Sequence, residues 1–220
     1  GFLSYKHCPN LWLLGTRPRM DDVASLRLVE DIITCANVFA STMMETRRFL
    51  KVDERNITYI KAYKELLQYL KHLFIYYNSC VSDITRSTEW SWSKYLMKIN
   101  NDPKVSEVII VTFNYDIWLE RLLMQLGIDF SLPSFAEHST IECKFKIFKP
   151  HGSISFTYKD SVDKSAYEIR YDYDFTDGNI DDFQIKYDEL DKNYIVTALI
   201  PPAGDPARFK YSWANKIRSD

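Results

Sequence analysis

The stretch Glu107-Val108-Ile109-Ile110-Val111-Thr112-Phe113 is a continuous β-branched run bounded by turn residues, and it constrains the fold more than any other segment. A short apolar run of this kind fits a strand buried on both faces, the environment of a central parallel strand. Asn114-Tyr115-Asp116 follows at once, and then the helical spacing Ile117, Leu119, Leu122, Leu123 and Leu126, stopped by Gly127. Strand, polar turn and helix are half of a βαβ unit. An α/β protein with a parallel sheet is therefore expected, with ligands just past the carboxyl ends of its strands.

Further strands are expected on the same logic. Lys144-Phe145-Lys146-Ile147-Phe148 alternates and ends at Lys149-Pro150-His151-Gly152-Ser153. Ser153 to Tyr158 continues as an alternating, half-exposed strand, and Tyr194 to Ile200 reads as a buried one closed by Pro201-Pro202. Ahead of these lie three helical patterns. Val23, Leu26, Val29, Ile33, Ala36, Phe39 and Met43 recur at helical spacing from Met20 to about Leu50, behind Asp21-Asp22. A second helix is expected from Ile57 to Val81, and a third from Ser91 to Ile99, before the Asn100-Asn101-Asp102-Pro103 breaker. The whole chain, 1–220, reads as one domain with a helical insertion at 20–101. The acidic, Tyr-rich stretch 160–192 reads as a surface insertion, and Trp213 to Ile217 opens a helix. The aromatic stripes of the helical block are expected to be core.

Composition narrows the function classes. With 28 basic and 30 acidic residues, the net charge of −2 offers no basic stripe to neutralise phosphates, so nucleic-acid binding is not expected. The four cysteines, Cys8, Cys35, Cys80 and Cys143, form no C-x-x-C pair, and no metal is expected. No apolar run approaches the ~20 residues needed to cross a bilayer, and no signal peptide is evident. The expectation is a cytoplasmic protein with reduced thiols.

Asn114 and His151 are the residues best placed for chemistry. Each has a bland alternative: Asn is a preferred helix N-cap, and a histidine between Pro150 and Gly152 can simply fill a turn. Both, however, stand at expected strand ends of one sheet, beside Thr112, Asp116 and Ser153.

Thr112-Phe113-Asn114-Tyr115-Asp116 with Leu119-Glu120 resembles the T-x-N-Y-D-x-x-L-E element of sirtuin-like proteins. Lys149-Pro150-His151-Gly152-Ser153 resembles their K-x-H-G-S element, and Leu199-Ile200-Pro201-Pro202 their I-I-P-P strand end. The resemblance covers about half the chain, from Val108 to Trp213. It implies a Rossmann-like, doubly wound parallel sheet that holds NAD. Deacylases of this family carry a zinc ribbon of paired C-x-x-C motifs, which is absent here. The resemblance is therefore to the hydrolase branch, often effectors of bacterial anti-phage systems, which cleave NAD to nicotinamide and ADP-ribose. The family's glycine-rich opening loop is reduced to Gly1-Phe2-Leu3-Ser4, and its last nucleotide-binding strand does not follow Asp220, as in a piece of a longer protein.

What the resemblance implies for residues is specific. Asn114 and His151 are the expected catalytic pair; Thr112, Asp116, Ser153 and Ser4 are the expected cofactor contacts. A toxic hydrolase must be held off until triggered, so control by homo-oligomerisation or by a partner protein is expected. Three other readings stay open: a nucleotide sensor or assembly module without turnover, an NAD-dependent deacylase, and an unrelated α/β domain.

Overall fold

In a computed structural model, which describes residues 3–45, 54–81, 91–159, 179–190, 198–201 and 212–220, the N-terminal periodicity becomes a block of helices. Asp21 starts the first long one by accepting the Ala24 N–H at 2.8 Å, a carboxylate at a helix N-terminus. The helices are α1 (Pro9–Leu13), α2 (Asp22–Glu45), α3 (Glu54–Cys80) and α4 (Ser91–Asn101). The start of α2 and both ends of α3 and α4 fall within three residues of the expected ones; α1 answers to no expected helix, and the expected end of α2 near Leu50 lies outside the described residues. On α2 the buried face is Ile32, Ile33 and Ala36, whereas Val23 and Leu26 are exposed. The expected stripe is out of phase there because packing against the core begins only at Leu28 and Val29.

Polar side chains lock the block together. The carboxylate of Glu65 on α3, wholly buried, accepts the N–H groups of Asn10 at 3.1 Å and Leu11 at 2.7 Å. It thereby satisfies amides that the first turn of α1 leaves without partners. The opposite ends of α3 and α4 meet cations from the rest of the chain. Arg121 donates to the carbonyls of Asn78 (3.1 Å) and Val81 (2.7 Å). Lys144 donates to those of Ile99 (3.3 Å), Asn100 (2.7 Å) and Asp102 (3.0 Å). Positive charge at a helix C-terminus is favourable, and here it also docks the helices onto the sheet region.

The fold is mixed α/β, with a parallel three-stranded sheet of β1 (Val108–Val111), β2 (Phe130–Ser131) and β3 (Phe145–Phe148), in the order β1-β3-β2. The register sets Val108 and Phe130 beside Phe145. The central strand is β3, whose Phe145 and Ile147 are buried, and β1 lies at the edge of the described sheet. This corrects the expectation that β1 is buried on both faces, since Ile109, Val111 and Phe113 are all more than half exposed. Among the described residues one face of the sheet is packed, and the other lines an open groove. The alternating run 144–148 was thus the truer mark of the sheet's one-sided burial.

After β1 comes α5 (Trp118–Gln125). Gly127, at φ +66°, closes it in a left-handed turn, with Gly127 N–H bonded to Met124 and Ile128 N–H to Leu123. That pair of bonds is the Schellman arrangement that glycine favours. A short helix α6 (Ala136–Ser139) leads back to β3.

Residues 151–155 are a buried turn rather than the start of a half-exposed strand. The strand β4 (Phe156–Tyr158) belongs to a second sheet, antiparallel to β5 (Phe183–Ile185). Residues 160–178 and 191–192 of the expected surface insertion lie outside the described residues, as does 194–197 of the expected buried strand. The described part of the insertion, 179–190, buries Ile180, Phe183, Ile185 and Leu190 in the protein. Leu199 forms an isolated antiparallel bridge with Gly152, and α7 (Ser212–Ser219) buries Trp213, Ala214 and Ile217.

Candidate functional site

The loop after β1 and the turn after β3 lie side by side at the carboxyl ends of neighbouring parallel strands, and each of the two is tied to the other. Thr112 N–H extends the ladder to the carbonyl of Phe148 at 2.9 Å, and Ile154 N–H bonds the carbonyl of Tyr115 at 2.9 Å. The Tyr115 hydroxyl, whose burial pushes its pKa up, donates to the carbonyl of Ile200 and so anchors the segment 198–201 as well. Lys149 supplies a further tie. Its ammonium, wholly buried, meets the Glu120 carboxylate at 2.8 Å and also donates to the carbonyl of Asp116. A buried ion pair persists only when well matched and hydrogen-bonded, and this one fastens β3, α5 and the Asn114 loop to each other.

Asn114 does not cap a helix. The helix begins at Trp118, and it is Asp116 whose Oδ1 accepts the Trp118 N–H, at 3.0 Å. The Asn114 backbone N–H is held by Thr112 Oγ1 at 3.2 Å, while its side-chain amide makes no hydrogen bond to a described residue. Thr112, Asn114 and Asp116 line one cavity of about 310 Å³, with Lys149 and Glu120 in its wall and Trp92 and Trp118 beside them.

His151 lies on a different cavity, a groove of about 900 Å³ along the open sheet face, with Ile109, Val111, Phe113, Phe148 and Arg218. Its ring meets that of Phe113 edge-on, centroids 4.8 Å apart. Partial burial, and then the nearby Arg218 guanidinium, lower the imidazole pKa below its ordinary value of 6.5. His151 is therefore neutral at neutral pH and able to accept a proton. Asn114 and His151 thus sit on adjacent loops, Asn114 lining the first cavity and His151 the second.

Gly152 explains why the turn can sit there. Its φ is +89°, and a Cβ would stand 1.8 Å from the carbonyl oxygen of Ala198. Only glycine lets that segment approach so closely. Ser153 is buried and engaged inside the protein, its Oγ 3.3 Å from the Tyr115 carbonyl and 3.0 Å from Ser155 Oγ. It lines neither cavity. Ser4 stands in the turn before α1, where its carbonyl accepts the Cys8 N–H at 2.8 Å, and it too lines neither. Lys149, Glu120, Trp92, Trp118 and Arg218 were not singled out as site residues from the sequence. Lys149 and Glu120 stand within the recognised motifs; nothing in the sequence pointed to Trp92 or Arg218.

No group of His, Cys, Asp and Glu among the described residues could hold a metal ion, and no described helix is long and apolar enough to cross a membrane. The four cysteines form no disulfide; burial, reinforced by Glu65, pushes the Cys8 thiol up to about 12, away from the thiolate form. The chain matches no family among known protein families, no curated protein and no solved structure.

Proposed function

We propose that the chain cleaves the nicotinamide–ribose bond of NAD, releasing nicotinamide and ADP-ribose. The observation that carries this reading is that Asn114 and His151 follow the carboxyl ends of adjacent parallel strands, with side-chain polar atoms that make no hydrogen bond to a described residue. The Rossmann-like doubly wound sheet belongs to the same proposal, and the parallel β1-β3-β2 order is compatible with it.

Nicotinamide leaves as a neutral molecule from a cationic ring, so no general acid is required. The barrier is the oxocarbenium character that develops at the ribose carbon, as in glycoside cleavage. The Asn114 amide orients a ribose hydroxyl or the attacking water by pairing donor with acceptor. Water adds to the ribose carbon as the bond to nicotinamide breaks, and its proton passes to the neutral His151 imidazole. Thr112 and Asp116 line the cavity that receives the substrate; Ser153 acts within the protein, on the Tyr115 loop. The resemblance extends the proposal to a cytoplasmic effector of anti-phage defence, controlled by self-assembly or by a partner protein.

Asn114→Ala and His151→Ala are expected to abolish nicotinamide release, measured by chromatography, with the circular dichroism spectrum unchanged. Full activity in both variants would sink the mechanism. The division of the pair between two cavities favours one second reading, a sensor that binds NAD without turnover. Saturable NAD binding with no product over hours would select it.

A further inference from the structure

A third cavity, of about 580 Å³, lies in the helical block, between the loop that follows α1 and the long helices α2 and α3. It shares no lining residue with the Asn114 or His151 cavities, and the proposed reaction does not use it. Its size falls within the ~300–1,000 Å³ of small-molecule sites. Much of its wall is aliphatic. Leu11, Ile32 and Leu66 are buried there, with the half-buried Leu28 and Val29 of α2 beside them.

The rest of the lining is polar and carries charge of one sign. Arg17 and Arg19 stand there with Thr16, Ser25 and Tyr69, and no carboxylate lines the cavity among the described residues. Arg17 is committed to the fold. Its guanidinium lies 4.5 Å from the Trp12 ring centroid and donates to the carbonyls of Trp12 at 2.6 Å and Thr16 at 2.8 Å. The Arg17 N–H also bonds Met20 Sδ at 3.2 Å, which braces the loop. Arg19 differs. Its guanidinium makes no hydrogen bond or ion pair among the described residues, and the nearby Asp21 carboxylate is taken by the Ala24 N–H. The Arg19 backbone is left-handed, at φ +65°, a conformation that a Cβ disfavours. Strain of this kind collects at ligand sites. A braced loop thus sets an unpaired guanidinium beside an aliphatic wall.

That combination selects a chemistry. A guanidinium fork matches the two oxygens of a carboxylate, and one free fork balances one negative charge. The aliphatic wall has no partner for further polar groups and favours each CH2 it buries. We propose that this cavity binds an aliphatic carboxylate, its head on Arg19 and its alkyl chain along Leu28, Val29, Ile32 and Leu66. The site goes beyond the NAD reading and does not depend on it. A ligand seated there bridges the loop, α2 and α3, and so stabilises the helical block.

The test uses the whole chain and unbranched carboxylates from butanoate to decanoate, below their micellar concentrations, with decanol as the neutral comparison. Titration calorimetry reads the affinity. Decanoate should bind saturably, and affinity should rise about fourfold for each CH2 added along the series. Arg19→Gln should weaken decanoate about tenfold, and Arg19→Lys, which keeps the charge but not the fork, should weaken it less. Leu28→Gln should weaken decanoate far more than butanoate. Circular dichroism checks that each variant is folded, and decanoate should raise the melting temperature of the wild type more than that of Arg19→Gln. No saturable decanoate binding, an affinity that is flat with chain length, or decanol bound as tightly as decanoate overturns the assignment. Equal decanoate affinity in the wild type and Arg19→Gln also overturns it.

Discussion

Replacing Gly152 by alanine adds one carbon at the point where the His151 turn meets the segment 198–201, and the cost can be worked from the contacts there. The new Cβ would lie 1.8 Å from the Ala198 oxygen, 2.7 Å from its carbon and 3.1 Å from the Trp213 ring. Two of the three neighbours are backbone, so relief requires the chain to move. That movement strains the bonds from Ser153 N–H to Ala198 (3.2 Å) and from Ile200 N–H to His151 (2.9 Å). Left-handed backbone costs a non-glycine residue about 1–2 kcal/mol. Each buried hydrogen bond left unmade costs about 1–3 kcal/mol. Against these stands a gain of only about 0.4–1 kcal/mol from a stiffer unfolded chain. A net loss of about 2–8 kcal/mol is expected, a large share of the roughly 5–15 kcal/mol that holds a domain folded. Gly127→Ala is the control: its φ is +66°, but nothing lies within 4 Å of the added carbon. It should lose only the conformational part, about 1–2 kcal/mol. Urea unfolding followed by circular dichroism measures both. If Gly152→Ala loses no more than Gly127→Ala, the close approach has been misread.

The lowered pKa of His151 has a definite sign. A base that must be neutral keeps NAD cleavage alive as pH falls through 6.5, so the acid limb of kcat/KM should lie below that value. Arg218→Gln should move the limb upward by part of the shift, because burial is the larger cause; a limb at or above 6.5 in the wild type would refute this. In stability, the same depressed group favours the fold fully above the unfolded value of about 6.5 and loses that contribution as pH falls towards the folded value. Lys149→Met leaves the Glu120 charge buried without its partner and should cost about 3–5 kcal/mol, whereas Lys149→Met with Glu120→Met should recover most of it. A double variant no more stable than the single one, in urea, would contradict the pairing. Finally, Phe145→Ala in the middle strand should cost about 3–5 kcal/mol, and Val111→Thr on the open face less than about 0.5 kcal/mol. Equal losses would show that both faces of the sheet are covered.

Much of the local structure is legible in the sequence. Asp21 and Gly127 mark helix ends by chemistry that acts within a few residues, a carboxylate on free amides and a backbone that only glycine adopts easily. The longer helices α2 to α5 and the strands β1, β3 and β4 followed from periodicity for the same reason, whereas α1, β2, α6 and β5 are too short to carry such a signal. The positions of Asn114 and His151 beside each other at strand ends were also legible, since each follows its strand directly. What each does with its side chain was not. That Asn114 caps no helix, and that it is Asp116 whose carboxylate accepts the Trp118 N–H ahead of α5, depends on where the chain turns in space.

The sequence by itself determined a parallel α/β arrangement with two polar loops at one sheet edge, because strand, turn and helix signals are local. The tertiary structure alone decided which strand is central, which face of the sheet lies open, and that Ser153 is enclosed while Trp92 reaches the Asn114 cavity. Those outcomes depend on contacts between residues tens of positions apart, Lys144 with the end of α4 and Lys149 with Glu120 among them. No local pattern encodes such pairings. An apolar run such as 108–113 reads alike whether its second face meets a helix or an open groove.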